Sequence, residues 1–200
     1  MKFIKFRDLY INTLKNRLLL LLKKEAYTTG YFILSSGDHS NFLIDCKKVL
    51  LKPEGHFYTG MIFLKLINEV FPQCDTIAGV ELGGCPIVSA VSTLSYSSHY
   101  SGGLLESNLL NGIYVRKQAK KHGSSNKIEG NLSTVKSVVL LEDVITTGKS
   151  TLNAIQSLKE ANLNVIGVVS IVDRLEGGSE KIKNSGIECF SIFTVNDLKE

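Results

Sequence analysis

The sequence predicts an α/β fold: a central parallel sheet flanked by helices. Three observations predict it. Short apolar runs rich in β-branched residues recur at 76–80, 112–116, 138–141 and 164–174. Helical apolar spacing follows two of them, at 86–95 and 150–161, and strands alternating with helices are the pattern of parallel strands joined by right-handed crossovers. The run Val138, Val139, Leu140, Leu141 is apolar throughout instead of alternating, as in a strand buried on both faces.

The elements follow in chain order. Residues 8–25 read as an amphipathic helix whose leucines belong to a core; LLLLL at 18–22 lies between Arg17 and Lys23 and is far shorter than the ~18 residues of a membrane span. It also lacks the small-residue cleavage site of a signal peptide. GYFILSSGDHSNFLIDC alternates on both sides of Ser35-Ser36-Gly37, a hairpin pattern that suggests a small N-terminal lobe. From 53 to 70, Phe57, Met61, Leu64 and Ile67 form one helical face, with Pro53 suited to the first turn. TIAGV at 76–80 is a strand, VELGG at 80–84 a tight loop, and 86–95 a helix. Strand 112–116 precedes about twenty polar residues, 117–136, with no apolar period; a loop of that length inside a compact domain is usually functional, often a lid. No internal repeat interrupts this order.

Composition narrows the function classes. Two hundred residues suit one domain with a substantial core. The net charge of +4 is mild, and Lys117, Lys120 and Lys121 cluster, which favours a local anionic ligand over a nucleic-acid footprint. No nucleic-acid or membrane partner is expected. Cys46, Cys74, Cys85 and Cys189 form no CxxC pair, so neither a zinc knuckle nor a disulfide framework is supported, and a reducing, cytoplasmic compartment is the expectation.

The chemistry concentrates at VVLLEDVITTGKS, 138–150. Glu142 and Asp143 are expected where the buried strand emerges at its carboxyl end, the edge at which open α/β sheets bind ligands. Thr146, Thr147, Gly148, Lys149 and Ser150 then precede a helix, offering hydroxyls and free backbone N–H groups at the positive end of its dipole. That is a phosphate cradle. It is not a Walker A loop, which needs a glycine where Asp143 stands. Carboxylates accept hydrogen bonds from vicinal diols while the cradle donates to phosphate, so the two together suit a ribose 5-phosphate.

VVLLEDVITTGKS resembles the phosphoribosyl pyrophosphate (PRPP) motif of the type I phosphoribosyltransferases. Three more stretches, FILSSGDHSNFLID, YVRKQAKKHG at 114–123 and SIVDRLEGG at 170–178, resemble those of the orotate phosphoribosyltransferases, and the likeness covers nearly the whole chain. It implies the type I phosphoribosyltransferase fold, with an N-terminal helix and hood lobe (1–52) over the base and a core (53–200) carrying a flexible catalytic loop at about 117–136. The implied reaction converts orotate and PRPP into orotidine 5′-monophosphate and pyrophosphate, with Mg²⁺ carried in on PRPP.

The same resemblance implies roles for individual residues. Arg116, Lys120, His122 and Asp143 are the expected catalytic residues. PRPP would be bound by Arg116, Lys117, Lys120, Lys121 and His122, by Glu142, Asp143, Val144 and Ile145, and by the 146–150 turn. Thr146 and Arg174 would bind orotate, Arg174 through the planar fork that suits a carboxylate, and Phe42 lies against the base or in the core. Lys120 and His122 would reach the neighbouring subunit's site, making the protein a homodimer. Expulsion of pyrophosphate passes through an oxocarbenium-like state, which a basic lid stabilises by neutralising departing charge and excluding water.

The chain departs from many family members at Ser35 and Gly83, where lysines are common, and at Asp38, His39 and Lys149. Glu81 receives no role, and His39, His56 and His99 are expected to be exposed or capping. The next enzyme, an orotidine 5′-monophosphate decarboxylase, is expected to be a separate polypeptide with which this one could associate. The rivals are a phosphoribosyltransferase for another base and a non-catalytic PRPP-sensing regulator. The loop at 114–123 and Arg174 argue against the first, since a purine has no carboxylate to pair; turnover would dismiss the second.

Overall fold

The computed structural model describes residues 2–33, 39–100, 107–118 and 127–199. Its frame is a six-stranded sheet in the order β5-β4-β3-β6-β7-β8, made of β3 (Thr76–Val80), β4 (Asn111–Val115), β5 (Ile128–Glu129), β6 (Ser137–Ile145), β7 (Asn164–Asp173) and β8 (Glu188–Thr194). All neighbours are parallel except β5, which runs antiparallel to β4.

Strand β6 shows why a continuous apolar run was needed. Val138, Val139, Leu140 and Leu141 are all fully buried. By strand alternation, Val139 and Leu141 enter the core cluster on one face, while Val138 and Leu140 enter the cluster on the other. Each such side chain contributes up to about 1.5–3 kcal/mol through burial. Helices α3 (Pro53–Val70) and α4 (Gly84–Tyr100) supply buried side chains to the first cluster, and α5 (Lys149–Glu160) supplies Ala154, Ile155 and Leu158 to the second.

The N-terminal region is α1 (Lys2–Leu21), a π-helical turn (Leu22–Ala26), the hairpin β1 (Tyr27–Ile33) and β2 (His39–Ile44), and the short α2 (Lys47–Leu50). Ile11, Leu14, Leu18 and Leu22 recur at helical spacing and are buried. The expectation that every leucine of this helix is core fails at Leu9 and Leu20, each 66% exposed, because they project from the opposite side of that stripe. A two-stranded sheet is marginal alone; this one is tied down where the Asp45 N–H donates to the Ala26 carbonyl at 2.9 Å and Phe42 stacks on Tyr27 with ring centroids 5.7 Å apart.

Several elements differ from the sequence reading. Strand β6 carries both acids and runs on to Ile145, and Glu142, expected where the strand emerges, stays buried within it. The segment 117–136 is not wholly irregular, since Ile128 pairs with Val115 and Glu129 with Tyr114. Phe57 does not share the buried face of α3 with Met61, Leu64 and Ile67 and is 38% exposed. The C-terminal elements α6 (Gly178–Asn184), β8 and α7 (Val195–Lys199) had no counterpart in that reading. The four cysteines are free, three of them buried, and no described helix is long and apolar enough to cross a membrane.

Candidate active site at the sheet's carboxyl edge

The chain leaves β3 for β4 on one side and β6 for β7 on the other, so the crossovers diverge between β3 and β6 and open a crevice at their carboxyl ends. Two spaces that share Lys117, Asp143 and Ser150 in their linings occupy it. A cleft of ≈ 1020 Å³ is lined by Arg116, Lys117, Asp143, Val144, Thr146, Thr147, Gly148, Lys149, Ser150 and Arg174, among others. A smaller hollow of ≈ 320 Å³ is lined by Lys47, Glu81, Leu82, Gly83, Lys117, Glu142 and Asp143, among others.

The 146–150 turn leads from β6 into α5. Gly148 adopts φ +77° immediately before α5, a conformation glycine reaches without steric cost. A Cβ there would lie 2.9 Å from the Gly178 carbonyl oxygen, so the turn is held close against the start of α6. No side chain caps α5, which leaves its first-turn N–H groups to an incoming anion.

The two acids have separate environments. Glu142 is only 4% exposed and accepts a hydrogen bond from the Thr151 hydroxyl at 2.8 Å. Burial, and then the neighbouring Asp143 charge, push its carboxyl from 4.5 up to about 8, while the Thr151 bond pulls the other way. Asp143 is half-buried and accepts the Val144 N–H at 2.9 Å. Burial raises it too, opposed by that bond and by the positive charge of Lys47. Across the crevice, a Cβ at Gly83 would overlap the Asp143 carboxylate, so the backbone after β3 approaches an acid as closely as glycine permits.

The loop bases begin in order. The Lys117 N–H donates to Glu81 Oε1 at 2.6 Å, and Arg116 Nε donates to Glu129 Oε1 at 2.8 Å. Glu81, left without a role by the sequence, thus fastens the start of the basic loop, and its own peptide to Leu82 is cis. Lys120, Lys121, His122 and Gly123 lie outside the described residues, as do Ser35, Ser36, Gly37 and Asp38.

Arg174, which also lines the main cleft, is 6% exposed. Its Nε donates to Glu176 at 2.8 Å, Nη2 donates to Ser40 Oγ at 3.0 Å, and the guanidinium sits 4.4 Å from the Phe42 ring centroid. A guanidinium has five N–H donors, and these bonds use two. Phe42 therefore packs on the core cluster and stacks under the arginine at once.

The cleft brings together ten of the anticipated residues, Arg116, Lys117, Asp143, Val144, Thr146 to Ser150 and Arg174. Glu142 faces only the smaller hollow. The Ile145 side chain is buried in the core, and its carbonyl accepts the Arg174 N–H at 2.9 Å. His39 stacks on Tyr31, while His56 and His99 bond backbone carbonyls, all apart from the crevice. Sequence reasoning missed Ser40, Lys47 and Thr151. Thr151 had a signal, a hydroxyl in the first turn after the cradle; Lys47 had none, since nothing in DCKKVLLKPEG marks one lysine from the next.

Comparison with known proteins agrees with this geometry. The family model described as the phosphoribosyl transferase domain matches residues 60–197. Orotate phosphoribosyltransferase of Sorangium cellulosum (strain So ce56) is 42% identical over 186 residues, 92% of each chain. That of Nostoc sp. (strain PCC 7120 / SAG 25.82 / UTEX 2576) is 39% identical, covering 95% of this chain and 87% of its own. The crystal structure of Mycobacterium tuberculosis H37Rv orotate phosphoribosyltransferase in complex with Fe(III) dicitrate superposes with a TM-score of 0.76 at 27% identity, covering 94% of this chain and 99% of that one. A phosphate cradle, paired acids and a buried arginine on this sheet, with relatives of this identity and coverage, place the chain: it belongs to the phosphoribosyl transferase family and, within it, to the orotate phosphoribosyltransferases.

Proposed function

We propose that this protein transfers the phosphoribosyl group of PRPP to orotate, giving orotidine 5′-monophosphate and pyrophosphate in pyrimidine nucleotide synthesis. The observation that carries this reading is one cleft lined by the 146–150 turn, Asp143 and Arg174 together. The cradle's N–H groups and hydroxyls hold the 5-phosphate, and Asp143 and Glu142 accept from the ribose hydroxyls. Arg174 faces the orotate carboxylate with the donors that Ser40 and Glu176 leave unused. Catalysis rests on positioning and on charge: Arg116, Lys117, Lys120, Lys121 and His122 neutralise the pyrophosphate as the glycosidic carbon acquires positive character.

Mg²⁺ is part of the substrate. It enters on the pyrophosphate of PRPP and keeps water in the rest of its shell, as this small, octahedral ion does. The oxygen-rich lining of the smaller hollow, Glu81 and the backbone of 82–83, suits those waters. A homodimer in which the basic loop serves the neighbouring site follows from the likeness of YVRKQAKKHG to the family's loop, and analytical ultracentrifugation tests it. The buried thiols Cys46, Cys74 and Cys189 support residence in a reducing cytoplasm. A decarboxylase acting on the product is the partner to seek by co-purification.

Turnover is read as loss of orotate absorbance on mixing protein, orotate, PRPP and Mg²⁺, beside Lys120→Ala and parallel reactions with uracil, adenine and hypoxanthine. Consumption of orotate alone, largely abolished by Lys120→Ala, is the expected result. No turnover with any base, together with tight PRPP binding, would overturn it in favour of a regulator.

A further inference from the structure

The smaller hollow contains a cation that the reading above does not use. Lys47 opens α2 in the N-terminal region, far in sequence from the PRPP motif, yet its side chain lines the same space as Gly83, Lys117, Glu142 and Asp143. It pairs with Asp45 at 2.6 Å, and that hydrogen bond raises its affinity for a proton. Its charge also reaches Asp143, whose ionised form it favours.

Gly83 explains why a cation must come from there. The loop after β3 runs against the Asp143 carboxylate, and a Cβ at 83 would overlap it. That position cannot deliver a charge into the hollow. The described lysines that reach it are Lys47 and Lys117, one from the N-terminal lobe and one from the loop after β4. They approach from different elements, as a clamp on a multiply charged anion requires.

We propose that Lys47 is a pyrophosphate-binding residue, exchanging its bond to Asp45 for the diphosphate group of PRPP and of the released product. This rests on the PRPP-dependent reaction proposed above and assigns one part of it to a residue of the lobe. Lys47 has a stem that reaches without altering the backbone, and its ammonium is a compact point charge with three donors. Asp45 keeps it charged and parked while the hollow is empty.

The test compares Lys47→Gln, Lys47→Arg and Asp45→Asn with the unaltered protein. Inhibition constants for inorganic pyrophosphate and for ribose 5-phosphate are measured beside KM for PRPP and for orotate. Lys47→Gln should weaken pyrophosphate and PRPP about tenfold or more, the size of a lost charge-assisted hydrogen bond. Ribose 5-phosphate and orotate should stay within about twofold. Lys47→Arg should recover most of the loss, and Asp45→Asn should leave pyrophosphate binding largely intact. Unchanged pyrophosphate inhibition in folded Lys47→Gln would overturn the assignment, as would equal weakening of ribose 5-phosphate or an Asp45→Asn variant as defective as Lys47→Gln. Absence of turnover in the unaltered protein would fail the proposed reaction instead; calorimetric titration with Mg²⁺-pyrophosphate, unaltered against Lys47→Gln, would still decide the role of Lys47.

Discussion

Replacing Glu142 with glutamine should stabilise the protein while disabling it. The carboxyl is 4% exposed, sits beside Asp143, and is held at about 8 against an ordinary 4.5. The folded chain therefore keeps a proton that the unfolded chain releases between those values, and stability falls as pH rises through that window. At 1.36 kcal/mol per pH unit, the carboxylate costs under about 1 kcal/mol at pH 5 and about 3 kcal/mol at pH 7. Glutamine has nearly the same shape, carries no charge, and keeps an oxygen to accept the Thr151 hydroxyl at the 2.8 Å contact. Calorimetric scans at pH 5, 7 and 8.5 should show the variant melting roughly 6–12 °C higher at pH 7, from about 2–4 °C per kcal/mol for a chain of this size. The difference should shrink at pH 5 and grow at pH 8.5. A melting difference that is the same at all three values, or a variant less stable at pH 8.5, would refute the reasoning.

Two further substitutions probe the same crevice. Gly83→Ala puts a methyl into the space of the Asp143 carboxylate; overpacking of this kind costs about 1–3 kcal/mol, and KM for PRPP should rise at least about fivefold, with an unchanged value counting against the close approach. Arg174→Lys keeps the charge but loses the fork that binds Glu176 and Ser40 and the flat face over Phe42; KM for orotate should rise about ten- to a hundredfold while KM for PRPP holds within about twofold, and equal losses for both substrates would mean that the arginine only supports the fold.

The central strand was legible where physics is local. Val138 to Leu141 could only be a strand covered on both faces, and the two core clusters on either side of β6 show that covering. The Thr146–Ser150 cradle was legible because helix-initiating chemistry is written in consecutive residues. The extent of β6 was not. Two acids ordinarily end a buried strand, and Glu142 stays inside only because Thr151, nine residues on, meets it with a hydroxyl. Strand β5 was hidden for a related reason: two residues carry no period, and their pairing comes from the register of β4. Lys47 and Ser40 lay beyond reach because their positions are set by how the hairpin region docks on the sheet, a contact spanning 134 residues between Ser40 and Arg174.

That last contact orders events in the life of the chain. The hairpin leaves the ribosome early, yet a two-stranded ribbon has little stability alone, and the arginine that fastens it belongs to the turn after β7. The strands Tyr27–Ile33 and His39–Ile44 are thus among the first made and among the last to be secured. A nascent chain halted anywhere before Arg174 would carry a loose amino-terminal flap, open to proteases, and limited digestion of ribosome-arrested chains would see that flap become resistant only once residue 174 has emerged.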